Sequence, residues 1–498
     1  MANPTFTVTV YRYNPSIDPA PYYQSFQLEF GKRQTVLDLL KEIYRHFDAD
    51  LAFRWSCGLG KCGVCAVRLN GRPVMACQEV VENRDLLIEP LKNFPVLKDL
   101  IVSREAHDGA LSGARPFLER VQWEAPSPKS GSAAPASVSP FLCTECLACA
   151  SSCPALSEVP DSFPGPAHFT VLSRWQAHPG DGGNRPALAR NGGIHNCTAC
   201  KSCSEVCPKN LDVFRDCIQT LREAVVSRGD GLPPVQAGFE SSLAKSGWLF
   251  SPRGRPFLER APDNPAVPGG DGVVGLFVGC RFNLQMQRPV ERLVELLGRA
   301  GFQVVVPKDQ RCCGGPLLWT GQREAFARQR EHNVAVFRSS GVKTILTPCA
   351  GCGMTLRNEY PEELSARLKD ISELLRPEKG RLFTRAVDLK VTYHDPCHLK
   401  RGQGIRNGPR ELFGSIRGLR FVEMRDPDYC CGGMAASANR VLAERLAGRK
   451  AQTILETGAQ AVVTSCPTCQ EVIDRALRRT GQGVEVLSLS ELLLRAAQ

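Results

Sequence analysis

The chain has 498 residues, with 43% hydrophobic and 23% charged side chains and a formal net charge of +11. That composition is that of a water-soluble globular protein long enough for three or four domains. It excludes a membrane-spanning bundle, since no stretch approaches the ~18 apolar residues a bilayer requires, and no Lys/Arg block with interleaved aromatics points to nucleic acid.

The chain opens on Phe6-Thr7-Val8-Thr9-Val10 without a signal-peptide pattern. A reducing cytoplasm is therefore the expected setting, where cysteines, 23 in this chain, bind metal as thiolates rather than pair as disulfides. Peripheral attachment to the inner face of a membrane is compatible with the same expectation.

The front part reads as mainly β. Phe6 to Tyr13 and Tyr22 to Phe30 alternate, and Thr35 caps a helix with the stripe Val36, Leu39, Leu40, Ile43 and Phe47. Ala66 to Leu69 and Pro73 to Ala76 flank Asn70-Gly71, a hairpin signal. Between them lies Cys57-x4-Cys62-x2-Cys65-x11-Cys77, the plant-type ferredoxin spacing that holds [2Fe–2S]. Gly58, Gly60 and Gly63 let that loop curl so that amide N–H groups face sulfur. A structural zinc knot is the bland alternative. Zinc sites come as two separated C-x2-C knuckles, unlike this single glycine-rich loop with a distant fourth thiol.

Residues 124–140 (EAPSPKSGSAAPASVSP) lack bulky apolar side chains and read as a linker. Two runs follow, Cys143-x2-Cys146-x2-Cys149-x3-Cys153-Pro154 and Cys197-x2-Cys200-x2-Cys203-x3-Cys207-Pro208, repeated at an offset of 54. In this bacterial ferredoxin spacing the fourth cysteine of each run serves the other run's cluster. One [4Fe–4S] set is then Cys143, Cys146, Cys149 and Cys207, and the other Cys197, Cys200, Cys203 and Cys153. The prolines are expected to end each ligand loop. Cys217 is left over on an expected helix and reads as a buried inert thiol.

Residues 227–270 are rich in Gly and Pro and form a second expected linker. Beyond it, Cys280-x31-Cys312-Cys313-Gly314-x34-Cys349-x2-Cys352 is followed by Cys397-x32-Cys430-Cys431-Gly432-x33-Cys466-x2-Cys469 at an offset of 117 to 118 residues. Each copy runs strand, Cys, strand, Cys-Cys-Gly, helix, strand, Cys-x2-Cys, so two copies of one αβ unit about a pseudo-twofold are expected. Five thiolates exceed the four that a tetrahedral zinc or a cubane takes. Adjacent cysteines also diverge, which suggests different irons of one opened cluster. A four-thiolate site with one spare cysteine is the alternative. His394 and His398 flank Cys397 and could serve sulfur with protons or hydrogen bonds, although a structural role is the simpler reading; the same holds for His195.

These motifs carry two resemblances. Residues 1 to about 225 resemble the iron–sulfur subunit of succinate dehydrogenase and fumarate reductase, through Ser56-Cys57 to Cys65, Cys77, Phe94 to Leu100 and both cysteine runs. Cys200 departs from the many such subunits that lack this cysteine and hold [3Fe–4S]. It implies [4Fe–4S] there, a lower potential, and doubt over a quinone site beside it. Residues from about 271 to 498 are similar to the B subunit of heterodisulfide reductase, whose CCG motifs each bind a noncubane [4Fe–4S] cluster through five cysteines. That similarity assigns Cys280, Cys312, Cys313, Cys349 and Cys352 to one such cluster, and Cys397, Cys430, Cys431, Cys466 and Cys469 to another. Their order resembles the B-subunit family of the thiol:fumarate reductases.

The resemblance implies an α+β multidomain chain. Its parts would be a β-grasp plant-type ferredoxin domain over 1–95, a helical bacterial-type 2[4Fe–4S] domain over 96–226, and a duplicated α/β CCG domain over 271–384 and 385–498. It also implies an electron-transfer subunit that relays electrons between a flavoprotein partner of the succinate dehydrogenase/fumarate reductase A type and a thiol/disulfide or quinone couple at the CCG region. The second couple would come from a thiol substrate or a membrane subunit. No Rossmann or flavin fingerprint is evident, so hydride chemistry falls to the partner, and no side chain is assigned a catalytic role. The rival is the iron–sulfur subunit of a glycolate, lactate or glycerol-3-phosphate dehydrogenase, which does not account for the front domain.

Overall fold

A computed structural model of the chain describes residues 4–31, 33–119, 139–229, 231–261, 272–375 and 382–497. Residues 124–138 of the expected first linker and 230 and 262–270 of the second lie outside them. The chain divides into two compact units, one of residues 1–194 with 201–230 and one of residues 195–200 with 231–498.

In the first unit, β1 (Thr5–Arg12) pairs antiparallel with β2 (Tyr22–Glu29). The β3 (Ala66–Leu69) and β4 (Arg72–Met75) hairpin turns through Asn70 and Gly71 at φ of 48° and 82°, the left-handed pair that Asn-Gly supplies. With β5 (Leu86–Glu89) they make one sheet in the order β2-β1-β5-β3-β4. The helix Val36–His46 starts at a capping box between Thr35 and Asp38, and buries Val36, Leu39, Leu40 and Ile43 on the sheet. Phe47, expected on that stripe, falls just past the helix end and is exposed. A short β6 (Val96–Lys98) and β7 (Ile101–Val102) hairpin follows. The helical part that comes next includes Pro166–Gln176 and a wide π-helical turn Val213–Gln219, where Cys217 is fully buried.

Front and middle parts, read from sequence as separate domains, fall in this one unit, and residues 195–200 fall in the other. The helical turn Ala148–Ser151 of the ligand loop ends before Pro154 as expected, and Pro154 also opens a new helix, Pro154–Glu158. Its missing N–H is no loss at a first helical position, where that donor would have no partner.

The second unit opens with a helix, Pro234–Ser246, inside the expected linker. Pro234 suits its first turn, and Gly247 at φ 76° ends it. The two repeats then build matching four-stranded parallel sheets. The first runs β11 (Leu368–Lys369), β10 (Thr344–Leu346), β8 (Val273–Leu276), β9 (Gln303–Val305). The second runs β15 (Glu485–Ser488), β14 (Ala461–Thr464), β12 (Leu389–Tyr393), β13 (Leu419–Phe421). One hydrophobic core joins them, with Val274, Leu276 and Leu293 beside Val391, Val463 and Leu492. The packing is reciprocal: the closing helix Leu489–Ala496 of the second repeat lies on Gln287–Arg299 of the first, and Ile371–Leu374 lies on Gly408–Gly414.

Candidate metal centres

The front cysteine loop curls through Gly58, Gly60 and Gly63 at φ of 66°, 67° and 73°. The Leu59 and Lys61 amides donate to Cys57 Sγ at 3.3 and 3.4 Å, and they pull the Cys57 thiol down to about 6. Cys65 and Cys77 lie buried where β3 begins and β4 ends, and burial pushes Cys65 up to about 11. Gly63 is required for a second reason. A Cβ there would stand 2.3 Å from the Thr144 carbonyl oxygen, so the loop touches the first ferredoxin-like run backbone to backbone.

Within the first unit, Cys143, Cys146, Cys149 and Cys207 line one small cavity with Thr170, Leu211 and Val213. Burial raises the Cys143 thiol to about 11 and Cys149 well above its ordinary value. Buried thiols held protonated in this way are donors waiting to exchange protons for metal. The left-handed residues Glu145 and Leu147 recur in the second run as Ala199 and Lys201. The two runs therefore share one backbone path, with Cys203 and Cys207 in the first unit and Cys197 and Cys200 in the second. Cys217 is not among the residues lining that cavity, and burial pushes it up to about 12.

All ten cysteines of the two C-terminal sets line a single cavity of about 270 Å³ in the second unit. They sit just beyond the carboxyl ends of the parallel strands. Cys280 and Cys349 follow β8 and β10, and Cys397 and Cys466 follow β12 and β14, the strands between which each sheet order reverses. Thiol contacts run from Cys280 through Cys312, Cys313, Cys352 and Cys349, pass between the repeats to Cys466, and continue to Cys469 and Cys431. Cys431 and Cys469 Sγ are 3.3 Å apart. Cys397 contacts Cys430, which that contact pulls down to about 6.

Eight of the ten thiols are buried and none forms a disulfide. Such a crowd of sulfur cannot ionise together in a low-dielectric interior unless cations sit among them. The donor chemistry therefore fits metal. Gly314 and Gly432, at φ of 78° and 88°, let each Cys-Cys pair turn back into the cavity.

Thr198, Trp319 and Lys450 had no motif to announce them, unlike Cys200 and the histidines beside them. Thr198 hydrogen-bonds Cys430, and Cys200 adds a like-charge interaction with Cys397, so residues 195–200 bring part of the second ferredoxin-like run onto the second C-terminal set. His398 Nε2 lies 3.1 Å from the Ala199 carbonyl, with its ring 4.5 Å from that of Trp319. Lys450 is fully buried beside the second set, and burial lowers it to about 8. Its signal in the sequence was a lysine on an apolar helix face, among Leu446, Ala447, Ala451 and Ile454. His394 is buried and held neutral, down to about 3, by burial and then by Lys450. His195 is buried as well.

Family models match four stretches of the chain: a 2Fe-2S iron-sulfur cluster binding domain over residues 7–108, a 4Fe-4S dicluster domain over 141–211, and a cysteine-rich domain twice, over 274–357 and 391–474. The B subunit of the fumarate reductase (CoM/CoB) of Methanothermobacter marburgensis is 35% identical over 494 residues, covering 98% of each chain. The chain belongs to this family. The fumarate reductase iron-sulfur subunit of Mycobacterium tuberculosis is 34% identical over 41% of this chain and 86% of its own. The D subunit of the dihydromethanophenazine:CoB–CoM heterodisulfide reductase of Methanosarcina acetivorans is 26% identical over 66% of this chain and 87% of its own. This family member is an iron–sulfur electron-transfer subunit of an oxidoreductase. Among the described residues, no helix is long and apolar enough to cross a membrane.

Proposed function

We propose that the chain connects a fumarate/succinate flavoprotein to a thiol/disulfide couple, with the disulfide made or broken in the C-terminal cavity. The observation that carries this reading is that both five-cysteine sets open onto one cavity. A two-electron substrate lodged there would face two one-electron sites at once.

Cys57, Cys62, Cys65 and Cys77 would hold [2Fe–2S] in a β-grasp domain. Cys143, Cys146, Cys149 and Cys207 would hold one [4Fe–4S], a set supported by their common cavity. On spacing alone, Cys197, Cys200, Cys203 and Cys153 would hold the second. Each C-terminal set of five would hold a noncubane [4Fe–4S]. These clusters would supply one-electron carriage between two chemistries that each need a pair.

The chain's own part is to hold the thiolates, exclude water and offer a wall of Trp319, Phe282 and Met434 to the substrate. The balance closes: two thiols oxidised to a disulfide release two electrons and two protons, and fumarate takes two of each to become succinate. The front domain, absent from the glycolate, lactate and glycerol-3-phosphate dehydrogenase subunits, weighs against that rival.

The test is anaerobic co-purification with the flavoprotein partner, followed by fumarate reduction assays. Roughly 16 to 18 irons per chain are expected, with succinate formed from coenzyme M plus coenzyme B thiols and not from menaquinol. Turnover with menaquinol alone would overturn the thiol site. Oxidation of glycolate or lactate with no response to fumarate would overturn the whole assignment.

A further inference from the structure

The two C-terminal cysteine sets are matched in sulfur but not in nitrogen. His394 follows β12 directly and lies three residues before Cys397; 117 positions earlier, three before Cys280, stands Phe277. His394 is 1% exposed, and its amide donates to the Val463 carbonyl at 3.0 Å, which pins it to the sheet.

The ring orientation is fixed by its other contact. Nδ1 lies 3.1 Å from the Pro427 carbonyl oxygen. A carbonyl only accepts, so Nδ1 carries the hydrogen, and in the neutral ring Nε2 presents a lone pair. Nε2 is buried without a hydrogen-bond partner. Lys450 does not supply one, because its ammonium is directed to the Asp426 and Pro427 carbonyls and to Met424 Sδ. What the ring does meet is sulfur: a His394 ring nitrogen, Cys431 Sγ and Cys469 Sγ all lie within 4.8 Å of one another.

A lone pair left unmatched in that interior is costly. A neutral imidazole whose far N–H is tied to a backbone carbonyl is how proteins orient a histidine for metal.

We propose that His394 Nε2 is a ligand to the metal centre of the second set, alongside its thiolates, whereas the first set binds through sulfur alone. Phe277 has no lone pair to offer, and its ring stacks on Phe337 with centroids 5.6 Å apart. Among the described residues, no histidine-containing group of potential ligands occurs at the first set. Imidazole is a neutral nitrogen donor, so the ligand set of the second centre differs in kind from the all-sulfur set of the first. The two centres are then unequal in ligand type and open to being told apart by spectroscopy. This rests on the reading of the second set as an iron–sulfur site.

The test is pulsed EPR on the full-length protein, purified anaerobically with its partner. Samples carrying natural and ¹⁵N-labelled histidine are compared with His394→Phe, which copies the first repeat. A strong nitrogen coupling on one C-terminal cluster is expected, altered by the label, lost in His394→Phe and retained in His398→Asn. Should His394→Phe fail to fold, the labelled unaltered protein and His398→Asn decide by themselves. A full iron complement with only the weak couplings of backbone amides would overturn the proposal, as would a strong coupling that survives His394→Phe. Absence of iron from the second set would instead remove the reading beneath it.

Discussion

The two C-terminal repeats share strand order, cysteine spacing and a common cavity, yet the side chains around their thiols differ in kind. In the first repeat, Asn333 reaches from its helix to hold the segment before the Cys-Cys pair, accepting from Arg311 N at 2.8 Å and donating to the Cys312 carbonyl at 3.0 Å. In the second, Lys450 occupies the position 117 residues on and holds the equivalent segment with a buried ammonium, 2.7 Å from the Asp426 carbonyl. Phe277 opposite His394 makes the same point. Residues 195–200 lie on the second set, while Val235, Phe239 and Phe250 complete the cavity wall. Duplication has preserved the backbone, which must deliver sulfur to the strand ends, and has let the neighbours diverge, since these set charge and potential without altering the path of the chain.

The comparison breaks most visibly if one repeat is dispensable. Cys352→Ser and Cys469→Ser are each expected to remove about four irons and one C-terminal EPR signature. Thiol-linked turnover should fall on the order of 100-fold or more. Iron analysis and EPR check this, and survival of every signal in either variant would refute the five-thiolate set in that repeat.

Lys450 gives the next largest effect. Its folded value of about 8, against the ordinary 10.5, means that the unfolded chain holds more protons between those values. Lysine thus costs stability below pH 8, and that cost is relieved as pH rises toward 10.5. In the metal-free protein, stability should therefore rise between about pH 8 and pH 10.5, and that rise should be lost in Lys450→Met, as read by denaturant melts across that range. Asn333→Leu has no such pH-dependent difference.

The smallest effect compares the two left-handed glycines. A Cβ at Gly314 would meet the Phe326 ring at 2.8 Å, and one at Gly432 would meet the Ala443 carbonyl oxygen at 2.9 Å. A side chain can turn aside where a helix backbone cannot. Both alanine variants should destabilise, Gly432→Ala by about 1–2 kcal/mol more than Gly314→Ala.

Much of this was legible in the residues. Thr35, Asn70-Gly71 and the alternating front strands mark elements that the structure contains, because each rests on local geometry. The repeat offset foretold two matching sheets. Less legible was the helix Pro234–Ser246, hidden in a Gly/Pro-rich stretch where proline starts a helix and glycine ends it. Phe47 obeyed the helical period but lay one residue beyond the last turn. At Pro154 the rule that proline ends a helix marks the stop of one turn but not the start of the next, because proline is also accepted at a first helical position.

The cysteine spacings by themselves determined the class of chemistry, since thiols at fixed intervals on tight loops and strand ends have few other uses. Only the tertiary structure decided which neighbours those thiols meet. The contact of Cys349 with Cys466, the placement of Thr198 on Cys430 and the orientation of His394 arise from packing between segments up to hundreds of residues apart. A local pattern cannot encode them, because they depend on how two sheets share a core and not on any single stretch of chain.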